Sequence, residues 1–229
     1  TLNNSTVNSV IKTGTAGTGN LNLSGTNSIT GDVGEASKKL NNINALANSN
    51  TTFNDNIYSN NINLGTSSTL DAKKDITSTI TGSGTLNLNG TNDQTINGTV
   101  GTTNLNVNNG TNKVIANDNI NSTNTNISST LDAKKDINSN INGTASNSGT
   151  LIMSGTNQTI NGNIGNTNSL NRFDVNSTTT VTGNINSTNI GGNGTLIMNG
   201  TTQSITGIVG TTNLNINSGT TTVNGNINS

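Results

Sequence analysis

The chain has 229 residues, a formal net charge of −1, 8% charged and 1% aromatic residues, and no Cys, His or Pro. Without His it lacks the commonest general base and metal ligand, and nine basic residues form no electrostatic footprint for nucleic acid. No apolar run approaches the roughly 20 residues of a transmembrane helix. Thr1 is expected to mark a processed product or an excised piece.

Asn, Thr, Ser and Gly make up roughly two thirds of the chain, where an ordinary globule is close to half apolar. Disordered chains pair low hydrophobicity with high charge and abundant Pro. This chain has neither, and its apolar residues are regularly spaced. Such a pattern suits stacked strands, whose ladder supplies the stability that disulfides give small secreted domains.

Residues 1–18 read as a partial lead-in coil, with Val7, Val10 and Ile11 among Thr, Ser and Gly. Four cassettes follow, at 19–83, 84–148, 149–193 and 194–229. Each opens on the same phrase, clearest at Gly84-Thr-Leu-Asn-Leu-Asn-Gly-Thr and closing on Asn97-Gly-Thr-Val-Gly101. In the first, Leu21, Leu23, Ile29 and Val33 alternate with polar residues. Leu40, Ile43, Leu46, Phe53 and Ile57 follow, around an inserted Glu35-Ala-Ser-Lys-Lys39 turn. The second continues through Leu105, Val107, Val114 and Ile120, the third through Leu151, Met153, Ile160 and Ile164, and the fourth through Leu196, Met198, Ile205 and Val209.

Alternation over four or five residues marks half-buried strands, and Asn, Thr, Ser and Gly are poor helix formers. Asn-Gly at Asn97, Asn109, Asn142, Asn161 and Asn224 predicts turns with positive φ. The spacing from Gly84 to Gly149 is 65 residues and from Gly149 to Gly194 it is 45. The difference of about 20 is one turn of a solenoid, whose turns contact only their neighbours. These features predict an all-β parallel β-helix (β-solenoid) of about ten to eleven coils of roughly 20 residues. On this reading 65 residues are three turns and 45 are two. Leu21, Leu86, Leu151 and Leu196 then occupy equivalent coil positions. So do Ile29, Ile96, Ile160 and Ile205, and likewise Val33, Val100, Ile164 and Val209. An Asp at position 151 should disrupt its coil, and an Asp at position 87 should be silent. Asn97 and Asn161 should point inward and form ladders from coil to coil.

Two near-identical segments carry the repeated charge, Ser68-Thr-Leu-Asp-Ala-Lys-Lys-Asp75 and Ser129-Thr-Leu-Asp-Ala-Lys-Lys-Asp136. Asp71, Lys73, Lys74 and Asp75 match Asp132, Lys134, Lys135 and Asp136 as candidate interaction loops. The competing reading is solvated turns whose charges block edge pairing. Ser68 and Ser129 could cap a short helical turn. Lysines beside every carboxylate and the absence of His argue against catalysis. No catalytic residue, cofactor or metal site is expected. Gly191-Gly-Asn-Gly194 lacks the Asp of a calcium-binding repeat.

The phrase Gly-Thr-Leu-x-[Leu/Met]-x-Gly-Thr, closing on motifs such as Thr30-Gly-Asp-Val-Gly34 and Asn161-Gly-Asn-Ile-Gly165, resembles passenger domains of bacterial autotransporters. The run from Thr211 to Ile227 looks most like the rickettsial surface-antigen group that includes outer membrane protein B. The resemblance implies a right-handed β-helix, secretion through an outer-membrane barrel, and an adhesive or surface-layer role. The expected function is therefore a non-enzymatic stalk at the bacterial cell surface, facing a host or neighbouring cell. The runner-up is an extracellular filament of copies stacked end to end. A lesser alternative is an ice-binding face, from the Thr178-Thr-Thr180 and Thr220-Thr-Thr222 runs.

Overall fold

The computed structural model describes residues 1–217 and 219–228. Its elements are strands joined by turns, paired in parallel ladders with turns about 19 residues apart, a β-solenoid of about 12 turns. That is slightly shorter per turn, and slightly more turns, than the sequence spacing predicts. At ~4.8 Å per turn the rod is roughly 55 Å long.

Following the register from strand to strand resolves three sides. On side one, Leu21 lies over Ile43, Ile62, Ile80 and Val100, and the same column continues through Ile120, Ile137 and Ile160 to Val181 and Met198. Side two runs through Leu70, Leu86, Leu105, Thr125 and Ile141 to Ile164, Ile185 and Ile205. Side three runs through Gln94, Val114, Leu131, Leu151, Phe173, Ile190 and Val209. These apolar side chains are buried in one continuous core cluster. The strands Ile57–Leu64 and Ile76–Gly82 bend round the corner between sides three and one, with a register shift between Tyr58 and Asn61.

The four repeated phrases do not share a column. Leu21 is on side one, Leu86 on side two, Leu151 on side three and Leu196 back on side one. From Leu86 three rungs lead through Leu105 and Thr125 to Ile141, and Leu151 comes only on the next side. The expected equivalence of the Leu, Ile and Val sets is therefore corrected. The 65-residue cassettes span three turns and a third, and the 45-residue cassette two and a third. Each phrase can fill any side because its inward Leu faces the one shared core from all three.

Alternation alone placed most inward residues correctly, Phe53 included, and Phe173 joins them in the core without having been assigned there. Leu46 is an exception, 45% exposed where the chain leaves the strand Leu40–Ala45. In the last turn Leu214 and Val223 are partly buried, and Ile216 and Ile227 are exposed. Of the five Asn-Gly turns singled out, only Gly98 and Gly110 take positive φ. At Gly162 the need for glycine is a close approach instead, since a Cβ there would lie 2.1 Å from the carbonyl oxygen of Ser139 one turn away. Nor do Ser68 and Ser129 cap helical turns. They sit at buried corners ahead of the strands Thr69–Ala72 and Thr130–Ala133.

Candidate functional site

The twin charged segments share a sequence but face different ways. The strand Thr69–Ala72 stacks against Thr85–Leu88 on side two, whereas Thr130–Ala133 stacks against Lys113–Ala116 and Ser148–Met153 on side three. They are one cassette apart and so a third of a turn out of phase. They do not form one paired surface.

Their closing aspartates do the same work. Asp75 Oδ1 accepts the backbone N–H of Thr95 at 2.8 Å, and Asp136 Oδ1 accepts that of Thr159 at 2.8 Å. Each carboxylate ties its corner to the next turn, which is a structural role. Lys73, Lys74 and Lys135 are exposed.

Asp71 and Asp132 differ more. Asp71 is half-buried and heads a ladder: Asn87 Nδ2 donates to its Oδ1 at 2.6 Å, Asn106 to Asn87 at 2.8 Å, and Asn126 to Asn106 at 2.9 Å. Every donor points toward the earlier turn, so the aligned amide dipoles end on a carboxylate. The expectation that Asn87→Asp is silent is thereby overturned. That change removes the donor and sets two carboxylates against each other. We expect a loss of about 1–2 kcal/mol at neutral pH. Repulsion raises the folded-state pKa of the pair, so the penalty fades as pH falls through the carboxylate range. Urea melts across pH, with Asp71→Asn restoring stability in the double variant, check it.

Asp132 is buried, between the outward Ile115 and Ile152 of the adjacent rungs. Its Oδ2 takes Lys134 Nζ at 3.1 Å and lies 3.5 Å from Lys113 Nζ, and its Oδ1 takes the hydroxyl of Ser154. Lys134 Nζ also donates to Ser154 Oγ at 2.7 Å. One rung beyond Ile152, Asp174 Oδ2 accepts Arg172 Nε at 2.7 Å, and that bond raises the Arg172 pKa further. Side three thus carries a lateral strip of Lys113, Lys134 and Arg172 paired with Asp132 and Asp174, interleaved with isoleucines. From Val175 to Ser229 no residue is charged, so this strip is the last charged surface along the chain.

A second charged corner lies near the start. Lys12 pairs with Glu35 and holds its carboxyl below the ordinary range. Glu35 and Lys38 close the inserted turn by mutual backbone hydrogen bonds.

Asn97 and Asn161 form ladders as expected but are exposed, not inward. Asn97 accepts from Asn117 at 2.7 Å, and Asn161 donates to Asn138 at 2.7 Å, which donates to Asn121 at 2.8 Å. The Thr runs do not join into one face. Thr178 and Thr180 stack over Thr195 and Ile197, while Thr220 and Thr222 stack against Thr202 and Ser204 in another ladder.

Sequence reading missed the polar residues that hold the corners. Gln94, Gln158 and Gln203 are each almost fully buried. Gln158 Oε1 accepts Gly155 N–H at 2.7 Å while its Nε2 donates to the carbonyls of Ala133 at 3.1 Å and Lys135 at 2.8 Å. Gln94 and Gln203 repeat the arrangement with Gly90 and Gly200. The signal was present as Gly-Thr-Asn-Asp-Gln94, Gly-Thr-Asn-Gln158 and Gly-Thr-Thr-Gln203. Asn27 takes the place in the first cassette, bonded to Ser5 N–H and the Ser24 carbonyl.

The described residues enclose no pocket, and no group of acidic residues among them could hold a metal ion. Among the described residues no helix is long and apolar enough to cross a membrane. Comparison with family models, with curated proteins and with solved structures finds no match for this chain.

Proposed function

We propose that the chain is a non-enzymatic structural rod, a segment of a stalk or surface layer displayed outside a bacterial cell. The observation that carries this reading is the unbroken parallel stack of about 12 turns. Such a stack transmits load along its axis through backbone ladders, and its lateral surface is left for contact. Asp75 and Asp136 tie turns together, and Lys113, Lys134 and Arg172 lie on the open strip of side three. The two phenylalanines are core filling and offer no platform for a sugar ring. The repeat phrases' likeness to autotransporter passengers supports export and adhesion to a host or neighbouring cell.

The test is labelling of intact producing cells with an antibody raised to the folded chain, together with adhesion by cells whose chain carries Lys113→Ser and Lys134→Ser. We expect surface labelling in both strains and several-fold weaker adhesion in the variant. Labelling only after cell lysis overturns the reading. Head-to-tail stacking of copies is the competing reading. It would act through free strand edges pairing from copy to copy, and purified chain that stays monomeric by light scattering for days overturns it.

A further inference from the structure

The sequence contains eight Asn-Gly dipeptides, the pair most prone to cyclise because glycine leaves its amide nitrogen unshielded. The fold divides them. At four, the glycine N–H is already donated: Gly90 to Gln94 Oε1 at 3.1 Å, Gly200 to Gln203 Oε1 at 2.6 Å, Gly143 to the Asn168 carbonyl at 3.0 Å and Gly194 to the Val175 carbonyl at 2.8 Å. At a fifth, Asn109 is fully buried and its Nδ2 donates to the carbonyls of Asn92 and Lys113. The remaining pairs begin at Asn97, Asn161 and Asn224. Each of these asparagines is exposed, and the glycine N–H that follows makes no hydrogen bond among the described residues.

We propose that Asn97 and Asn161 are sites of spontaneous deamidation in the folded rod. The backbone nitrogen of Gly98 loses its proton and attacks Asn97 Cγ. The new C–N bond forms as Cγ–Nδ2 breaks, and ammonia leaves with the proton. Water then opens the cyclic imide at either carbonyl, leaving aspartate or isoaspartate. Gly162 and Asn161 react alike. A hydrogen-bonded glycine N–H must first be released, and at the buried corners the turn must open with it.

The two products differ in effect. Asn97 Oδ1 is an acceptor from Asn117 Nδ2, a role a carboxylate keeps. Asn161 Nδ2 is the donor to Asn138 Oδ1, and a carboxylate there faces an acceptor with no proton to give. Conversion at 161 therefore breaks a ladder, while conversion at 97 adds charge and leaves its strong link intact.

The experiment is peptide mapping by mass spectrometry of the folded chain, and of the chain unfolded in urea, after incubation at mildly alkaline pH. In the folded chain, conversion at positions 97 and 161 should run at least about tenfold ahead of positions 89 and 142, the factor set by releasing one hydrogen bond. In urea all these sites should convert at similar rates. Asn97→Gln and Asn161→Gln should remove only their own signals. Equal rates at the four positions in the folded chain overturn the proposal. So does an absence of conversion at 97 and 161 in the folded chain when the unfolded chain converts.

Discussion

Leu151→Asp should cost more than about 4 kcal/mol, because it leaves an unpaired charge where a fully buried side chain sat. Leu151 stacks between Leu131 and Phe173 in the register of side three. Neither neighbour offers a proton or a cation. Each turn touches only its neighbours, so the damage should be local. Amide exchange should speed up in Thr130–Ala133 and Leu170–Val175, while Thr18–Ser24 keeps its protection. Leu151→Met, which conserves volume, should lose less than about 1.5 kcal/mol. Equal loss of protection at both ends of the rod would contradict nearest-neighbour stability.

The second large effect belongs to Gln158. Gln158→Ala strands the Gly155 N–H, withdraws the amide donor from the Ala133 and Lys135 carbonyls, and leaves a void at a buried corner. Unsatisfied buried groups cost about 1–3 kcal/mol each, so a total near 3–4 kcal/mol is expected after relaxation. Gln158→Glu should be as damaging at neutral pH, since a carboxylate would face two carbonyl oxygens, and milder in acid once protonated. Denaturant unfolding of both variants reads this out. A change below about 0.5 kcal/mol, the range of an ordinary surface substitution, would remove the corner role.

These two residues show what could be read in advance. Leu151 was legible because alternation assigns a side chain to the inside of a strand whichever side of the rod the strand lies on. Its column was not legible. A turn taken as 20 residues makes 65 look like three turns with loose loops, and the extra third vanishes into the rounding. Only strand pairing shows that Leu151 meets Leu131 and Phe173, far from Leu86 and Leu196. Gln158 was missed because a lone Gln among Asn and Thr reads as surface, and its burial depends on carbonyls in the preceding turn. The same limit hid the side-three strip. Lys113 and Asp132 meet through cross-turn register, and identical flanks around Asp71 and Asp132 concealed that one heads an amide ladder and the other lies buried among cations.

The fractional turn carried by each repeat has a consequence at the level of the gene. Duplicating a 65-residue cassette would swing everything beyond it by a third of a revolution and aim the same strip at a new azimuth. Gaining or losing a single coil, as between the second and third cassettes, changes length and leaves the azimuth alone. Recombination between such repeats therefore has two separate controls, reach and bearing. Three full cassettes bring a surface back to its starting direction, farther from its origin.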